Sequence, residues 1–159
     1  MEQRGIFTKS GDRGGTDRSP RAAATVILLR DRADAPYEFL LMRRGRNQTF
    51  MGGAFVFPGG GLDESDLNPE LAACVAGFSA TDAKRLLQEN DLPEAVAFGL
   101  FMAAIRETFE EAGVLLARGE RGGRFNPAAS ETAARLDACR RELHERRLTL
   151  AELAHRENL

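Results

Sequence analysis

Apolar residues in the first third of the chain come in short, dense runs that are typical of strands. Residues 23–29 form a continuous apolar, β-branched run, which predicts a strand buried on both faces. Residues 37–43 predict a second strand, and the short polar turn between the two runs predicts an antiparallel hairpin. Residues 50–57 predict a third strand, which ends at Pro58 because proline cannot donate to a ladder, and a glycine loop follows.

Later in the chain, apolar residues recur at helical spacing. Four shorter helices are predicted, at 71–76, 81–90, 131–146 and 149–157. Thr81 or Asp82 is the expected N-cap of the second. Residues 114–116 add at most a fourth strand, so the predicted sheet is small.

A long helix from Pro93 to Ala112 is the main predicted element. Asp91 is its expected cap, Pro93 suits its first turn, and Gly99 is a weak point inside it. One of its faces carries an apolar stripe that is expected to pack on a core, formed by Phe98, Phe101, Ile105, Phe109 and Ala112.

Composition and charge limit the class of protein. The chain has 159 residues, 43% of them hydrophobic, and a formal net charge of −2, which predicts one globular domain and gives no case for a nucleic-acid partner. No apolar run is long enough to cross a bilayer, so no membrane partner is expected. Cys74 and Cys139 have neither disulfide nor zinc spacing and are expected to be small apolar residues in a reducing cytoplasm. Residues 1–20 are polar and rich in glycine, which predicts a flexible leader before a domain at 21–159.

Three carboxylates project from one face of the long helix. At about 100° per residue, Glu110 lies about 60° to one side of Glu107, and Glu111 about 40° to the other. On its own, such a run is most often a solvated helix face, even though like charges at this spacing oppose helix formation slightly. A divalent cation would turn that repulsion into attraction, because hard cations such as Mg²⁺ choose carboxylate oxygens.

Neighbouring residues change that interpretation. Arg106 precedes the carboxylates directly, Gly113 and Val114 follow them, and a glycine run at 57–61 lies upstream. Together these residues resemble the Nudix box, G-x5-E-x7-R-E-U-x-E-E-x-G-U, in which U is apolar. Thr108 departs mildly from the pattern because it occupies the first U position.

The upstream half of the box departs further. Counted from Gly60, the first glutamate position of the pattern falls on Asp66. Between Asp66 and Arg106 lie 39 residues where the pattern has seven, so about 32 are inserted, approximately at 67–98. A long insert at this point, followed by an A-A-I-R-E-T-F-E-E-A-G-V-L-L helix, is similar to the Nudix branch that hydrolyses coenzyme A and acyl-coenzyme A.

The resemblance implies a fold class as well. An α/β (α+β) chain is expected, built as a Nudix-type α/β/α sandwich with a mixed sheet, a helical insert and C-terminal helices. Family members supply further strands after helices like those at 131–157, so we expect a truncated chain with an incomplete sheet. A small sheet would leave apolar surface uncovered, which predicts marginal stability or self-association, for example as a homodimer.

The resemblance also implies roles for particular residues. Mg²⁺ or Mn²⁺ would be held by Glu107, Glu110, Glu111 and the carbonyl of Gly60. The expected catalytic residues are Glu107, Glu110 and Arg106, and Arg106 would brace the glycine loop by pairing with Asp66. Substrate phosphates would be bound at the end of the second strand and at the loop, by Arg43, Arg44, Arg46 and Gly59.

The expected function is metal-dependent hydrolysis of a diphosphate linkage in a small nucleotide-type substrate. Coenzyme A and acyl-coenzyme A enter only through the resemblance, because no motif here reads adenine or pantetheine. Two alternatives stay open: a Nudix-fold module that binds a nucleotide without cleaving it, and an inactive fragment.

Overall fold

The computed structural model describes residues 20–46, 52–119 and 130–159. The predicted leader, apart from Pro20, lies outside the described residues, and so do the first two residues of the predicted third strand. The α/β (α+β) class is as predicted, since the described residues combine short strands with five α-helices. The predicted mixed sheet is not seen among these residues, because all the described strand pairs are antiparallel.

Six short strands form three antiparallel pairs. The pairs are β1 with β6, β2 with β3 and β4 with β5. The predicted hairpin is confirmed, since Leu29 of β2 lies opposite Phe39 of β3. The strands are β1 (Ala23–Thr25), β2 (Leu29–Arg30), β3 (Glu38–Phe39), β4 (Met42–Arg43), β5 (Phe55–Val56) and β6 (Gly59–Gly61).

The first predicted strand differs from the structure in two ways. The run 23–29 is divided between β1 and β2, and it is not buried on both faces. Ile27 and Leu29 are 58% and 62% exposed, whereas Val26 and Leu28, which alternate with them, are half-buried. A continuous apolar run does not reveal whether both faces of a strand are covered, and here helix packing covers only one.

The predicted glycine loop is also a strand. Residues Gly59–Gly61 pair with β1, and the carbonyl of Pro58 accepts a hydrogen bond from the Val26 N–H at 2.9 Å. Pro58 has no N–H to donate, but its carbonyl still accepts a hydrogen bond, so the segment can pair as a strand. A Cβ on Gly59 would lie 2.3 Å from the carbonyl oxygen of Ala24, so glycine permits the close approach of the two strands.

The helices follow the predicted order with corrected ends. A 3₁₀ helix at Glu64–Leu67 precedes them. The α-helices are α1 (Glu70–Ala73), α2 (Ala80–Leu87), α3 (Glu94–Ala112), α4 (Ser130–His144) and α5 (Leu150–Glu157). Residues 114–116 form no strand, and α1 is shorter than the predicted 71–76.

Two predicted caps were wrong. Ser79 caps α2, rather than Thr81 or Asp82, because its hydroxyl accepts from the Asp82 N–H while the Asp82 carboxylate accepts from the Ser79 N–H. Asp91 does not cap α3, whose N-cap is Pro93 with no side-chain hydrogen bond. Asp91 is three residues before the first helical position, which is too far for its side chain to serve that role.

The core lies where α3 meets the helices that precede and follow it. Phe98 and Phe109 are buried and Phe101 and Ile105 are partly buried against them, which confirms four residues of the predicted stripe. Ala112, the fifth, is only partly buried and is not among the core residues. Both cysteines are free, with Cys139 inside this core. Of the helices in the described ranges, none has the length and apolarity to cross a membrane.

Gly99 is a packing requirement of α3 rather than a weak point. A Cβ there would lie 2.6 Å from Cδ2 of Leu67, 3.1 Å from Cδ1 of Leu62 and 3.3 Å from the carbonyl oxygen of Asp66. The 3₁₀ helix therefore approaches α3 more closely than any side chain would allow. Glycine's lower helix propensity is offset by this contact.

A buried ion pair joins the same two helices. Nε and Nη2 of Arg106 each donate to one oxygen of the Asp66 carboxylate at 2.9 Å, and the Asp66 side chain is fully buried. Asp66 also accepts from the Asp63 N–H, which closes the cap of the 3₁₀ helix. The bidentate geometry fixes orientation as well as distance.

We expect Gly99→Ala to lower the free energy of unfolding by about 1 kcal/mol. Overpacking costs about 1–3 kcal/mol, and the better helix propensity of alanine returns about 1 kcal/mol. In a Leu67→Ala background the main clash disappears, so the same substitution should become stabilising. Urea unfolding of the four variants measures both effects, and an equal cost in both backgrounds would contradict the packing explanation.

Arg106→Ala and Asp66→Ala should be strongly non-additive. For residues in contact a coupling of about 0.5–3 kcal/mol is usual, and burial places this pair in the upper part of that range. The exposed pair of Arg141 and Asp137, 3.3 Å apart on α4, is a matched control expected to couple by less than about 0.5 kcal/mol. Additive costs at Arg106 and Asp66 in urea unfolding would show that the pair does not hold the two helices together.

Candidate active site

The carboxylates of α3 point toward the strand β6. The N–H of Gly59 donates to Oε2 of Glu111 at 3.1 Å. A Cβ on Gly60 would lie 2.3 Å from the carboxyl carbon of Glu107, so that carboxyl group rests directly against the Gly60 backbone. The structure thus brings together four of the predicted site residues, two from the strand and two from the helix.

Arg106 joins the remaining ones. Its Nη1 donates to Oε1 of Glu107 at 2.8 Å and to Oε1 of Glu110 at 3.1 Å, while Nη2 donates to the carbonyl of Gly61 at 2.9 Å. Burial alone would lower the pKa of this guanidinium, but hydrogen bonds and charge from Asp66 and both glutamates raise it. Arg106 is therefore a permanent cation that ties α3 to β6 and to the 3₁₀ helix.

Negative charge exceeds positive charge around Arg106. Three carboxylates contact it, and Asp66 already occupies one edge of its guanidinium. Burial raises the pKa of Glu107; Arg106 opposes that shift, and the charges of Glu110 and Glu111 add to it. An additional cation nearby would favour the ionised form of Glu107 and so oppose this rise in its pKa.

The donor chemistry fits a hard divalent cation. Within the described ranges, no three acidic, histidine or cysteine side chains are already gathered as a metal site. Arg106 holds one oxygen of Glu107 and one of Glu110. Carboxylates are the oxygen donors that Mg²⁺ and Mn²⁺ prefer.

A cleft of about 740 Å³ is lined by one of the carboxylates, that of Glu111, and by three of the four predicted substrate residues. Arg43 and Arg44 line it together with Gly59 and Glu111. The guanidinium of Arg43 lies 6.0 Å from the ring centre of Phe55, which helps to orient it. Arg46 is exposed and is not among the residues that line this cleft.

Two residues near the carboxylates were not predicted. Arg140 of α4 donates from Nε to the carbonyl of Glu110 at 2.7 Å and from Nη2 to that of Glu111 at 3.1 Å. The side chain of His144, also on α4, is 80% exposed, with Nδ1 3.7 Å from Oε2 of Glu110. The sequence holds one signal for Arg140: α3 ends in two glutamates without a basic residue in its last turn, so its terminal carbonyls need a cation from elsewhere.

Three curated relatives of the chain carry the same name. The chain is 39% identical over 103 residues to the human acyl-coenzyme A diphosphatase NUDT19, a match covering 52% of this chain and 27% of that protein. The same enzyme from Gallus gallus is 35% identical over 125 residues, covering 60% and 32%, and that from Xenopus laevis is 33% identical over 96 residues, covering 50% and 25%. The chain thus spans less than a third of the length of these relatives.

A solved structure gives an independent comparison. The crystal structure of a NUDIX hydrolase from Alicyclobacillus acidocaldarius superposes with a TM-score of 0.53 at 32% identity, covering 77% of this chain and 51% of that one. No family model matches the chain. The relatives and the solved structure confirm the resemblance predicted from the sequence: this chain is similar to the Nudix hydrolases, and within them to acyl-coenzyme A diphosphatases.

Proposed function

We propose that the chain carries the catalytic centre of a Nudix-type diphosphatase, in a domain at residues 21–159 with its insert at about 67–98. The observation that carries the proposal is one cleft with cationic and anionic sides. Arg43 and Arg44 supply positive charge on β4 and just after it, and Glu111 supplies negative charge from α3. A diphosphate needs both, because its oxygens pair with guanidinium groups and with a cation that carboxylates hold.

The proposed metal ligands are the carboxylates of Glu107, Glu110 and Glu111 and the carbonyl of Gly60. These groups would hold Mg²⁺ or Mn²⁺, which would neutralise the diphosphate charge and favour deprotonation of the attacking water. The contact of Gly59 with Glu111 supports this assignment, because it aims one of the carboxylates at the strand where the diphosphate would lie.

The proposed roles of the other residues follow from their contacts. Arg106 orients Glu107 and Glu110. It also braces β6 through the Gly61 carbonyl and the 3₁₀ helix through Asp66. Arg43 and Arg44 bind the diphosphate oxygens, and Arg46 has no supporting contact with the cleft. Glu107 is the proposed base, because its raised pKa strengthens it as an acceptor for the proton of the attacking water.

The reaction is hydrolysis at phosphorus. The water oxygen forms a new bond to one phosphorus while the bridging P–O bond breaks, and the two products carry the hydroxyl and the proton of that water. The names of the curated relatives support coenzyme A or acyl-coenzyme A as the substrate class.

Product analysis by mass spectrometry tests the substrate. The panel is coenzyme A, acyl-coenzyme A, ADP-ribose, NADH and diadenosine polyphosphates. Cleavage of the first two into 3′,5′-ADP and a phosphopantetheine product supports the proposal. Nucleotide binding without turnover would favour a sensor module, and neither binding nor turnover would favour an inactive fragment.

Glu110→Gln and Glu111→Gln should each weaken Mn²⁺ binding by at least about tenfold while the fold is retained, because each removes a ligand charge and keeps the side chain's size. Electron paramagnetic resonance measures free Mn²⁺ directly, and Mg²⁺ competition extends the assay. Glu94→Gln, at the other end of α3, is the matched control and should bind normally. Unchanged affinity in both variants would make the carboxylates an ordinary solvated face.

Glu107→Gln should bind Mn²⁺ weakly yet melt at the same temperature as the wild type or higher. A raised carboxyl pKa means that the folded state disfavours the charge, so this penalty grows as the pH rises above the ordinary value of 4.5. Neutral glutamine avoids the penalty at pH 7 and gains nothing at acid pH, where Glu107 is itself protonated. Calorimetry of the metal-free wild type and variant at pH 7 and at acid pH measures the difference in melting temperature. A variant that melts below the wild type at pH 7, but not at acid pH, would contradict the expectation.

A further inference from the structure

The C-terminal turn of α3 is held by a side chain from another helix. The last carbonyls of a helix have no donor within it. In α3 the Phe109 carbonyl accepts from the N–H of Gly113, which has a φ of +69°. The next two carbonyls, those of Glu110 and Glu111, accept from Arg140 at 2.7 and 3.1 Å.

Charge makes this contact more important than an ordinary cap. The C-terminal end of a helix carries a partial negative charge, so carboxylates are unfavourable there and cations are favourable. α3 has two glutamates in its last turn and no basic residue. Arg140 supplies the missing cation, and it does so at the backbone carbonyls of the two glutamates, Glu110 and Glu111.

We propose that Arg140 is a positioning residue for the metal-binding carboxylates of the proposed diphosphatase. It touches no substrate; it fixes the backbone from which the side chains of Glu110 and Glu111 extend. Glu111 reaches the Gly59 N–H at 3.1 Å and Glu110 reaches Arg106 at the same distance. A turn that unwinds at its end would move both carboxylates away from these partners, and hence from the proposed cation site.

The helix that carries Arg140 is itself firmly held. Its neighbours Leu136, Cys139 and Leu143 on α4 are buried in the core. The planar guanidinium presents two parallel donors, which matches two consecutive carbonyls, whereas the ammonium of lysine is a single point. The role therefore requires arginine rather than any cation.

The test compares three variants of the whole chain: Arg140→Met, Arg140→Lys and the control Arg141→Met. Arg141 is the next residue of α4, is 64% exposed and pairs with Asp137 on the same helix, so its variant removes the same charge without touching α3. Losing a residue that orients metal ligands typically weakens binding by about 10–100-fold. We expect this loss of Mn²⁺ affinity in Arg140→Met, a smaller loss in Arg140→Lys and none in the control.

A second readout is independent of the metal. Hydrogen exchange of the Gly113 amide in metal-free protein reports on the last turn of α3 and should accelerate in Arg140→Met alone. Unchanged exchange would overturn the proposal, and so would a variant that melts earlier but binds Mn²⁺ as tightly as the wild type. If the wild type bound no Mn²⁺, the proposed metal site would fail by itself, and the exchange result would still decide whether Arg140 holds the turn.

Discussion

The contact between Arg106 and Asp66 is the constraint on which the rest of this structure depends. One guanidinium joins three segments, since it binds the 3₁₀ helix through Asp66, β6 through the Gly61 carbonyl and its own helix through Glu107 and Glu110. Its bonds to Asp66 are buried, where an unpaired charge would be costly, so neither partner can leave without a large loss of stability. The two elements of the site, the glycine strand and the acidic helix, keep their relative position because of this one side chain.

Stability and chemistry make opposite demands on α3. Burial of Phe98 and Phe109 in the core stabilises the helix. The carboxylates on its other face repel one another and are partly buried, which is unfavourable. Arg106 compensates part of this charge from within the helix, and Arg140 compensates its C-terminal end from α4. Sites that keep such a surplus of one charge are characteristic of metal and catalytic centres, where stability is sacrificed for binding.

Periodicity and local motifs predicted the elements and the composition of the site. The long helix, its apolar stripe, the hairpin and the C-terminal helices all follow from local spacing, which is why they were found. Long-range geometry did not follow: nothing in the run 23–29 shows that Ile27 faces outward. The missing basic residue at the end of α3 indicates that a cation is needed there, but it does not say which arginine supplies it. The predicted cap of α2 was two or three residues too late, because Ser79, Thr81 and Asp82 are all good caps. Only the reciprocal bonds between Ser79 and Asp82 select one of them.

The pairing of Asp66 with Arg106 has a consequence for how such a motif tolerates change. The two residues are 40 positions apart in the chain, yet their side chains touch, so the segment between them begins and ends at nearly the same point in space. Loop-closure entropy rises only slowly with length, by about 0.6 kcal/mol for each doubling. A segment with fixed, adjacent ends can therefore change its length at little cost in loop-closure entropy, as long as it keeps the core contacts of residues such as Leu71 and Phe98. The salt bridge that joins its two ends has no such freedom.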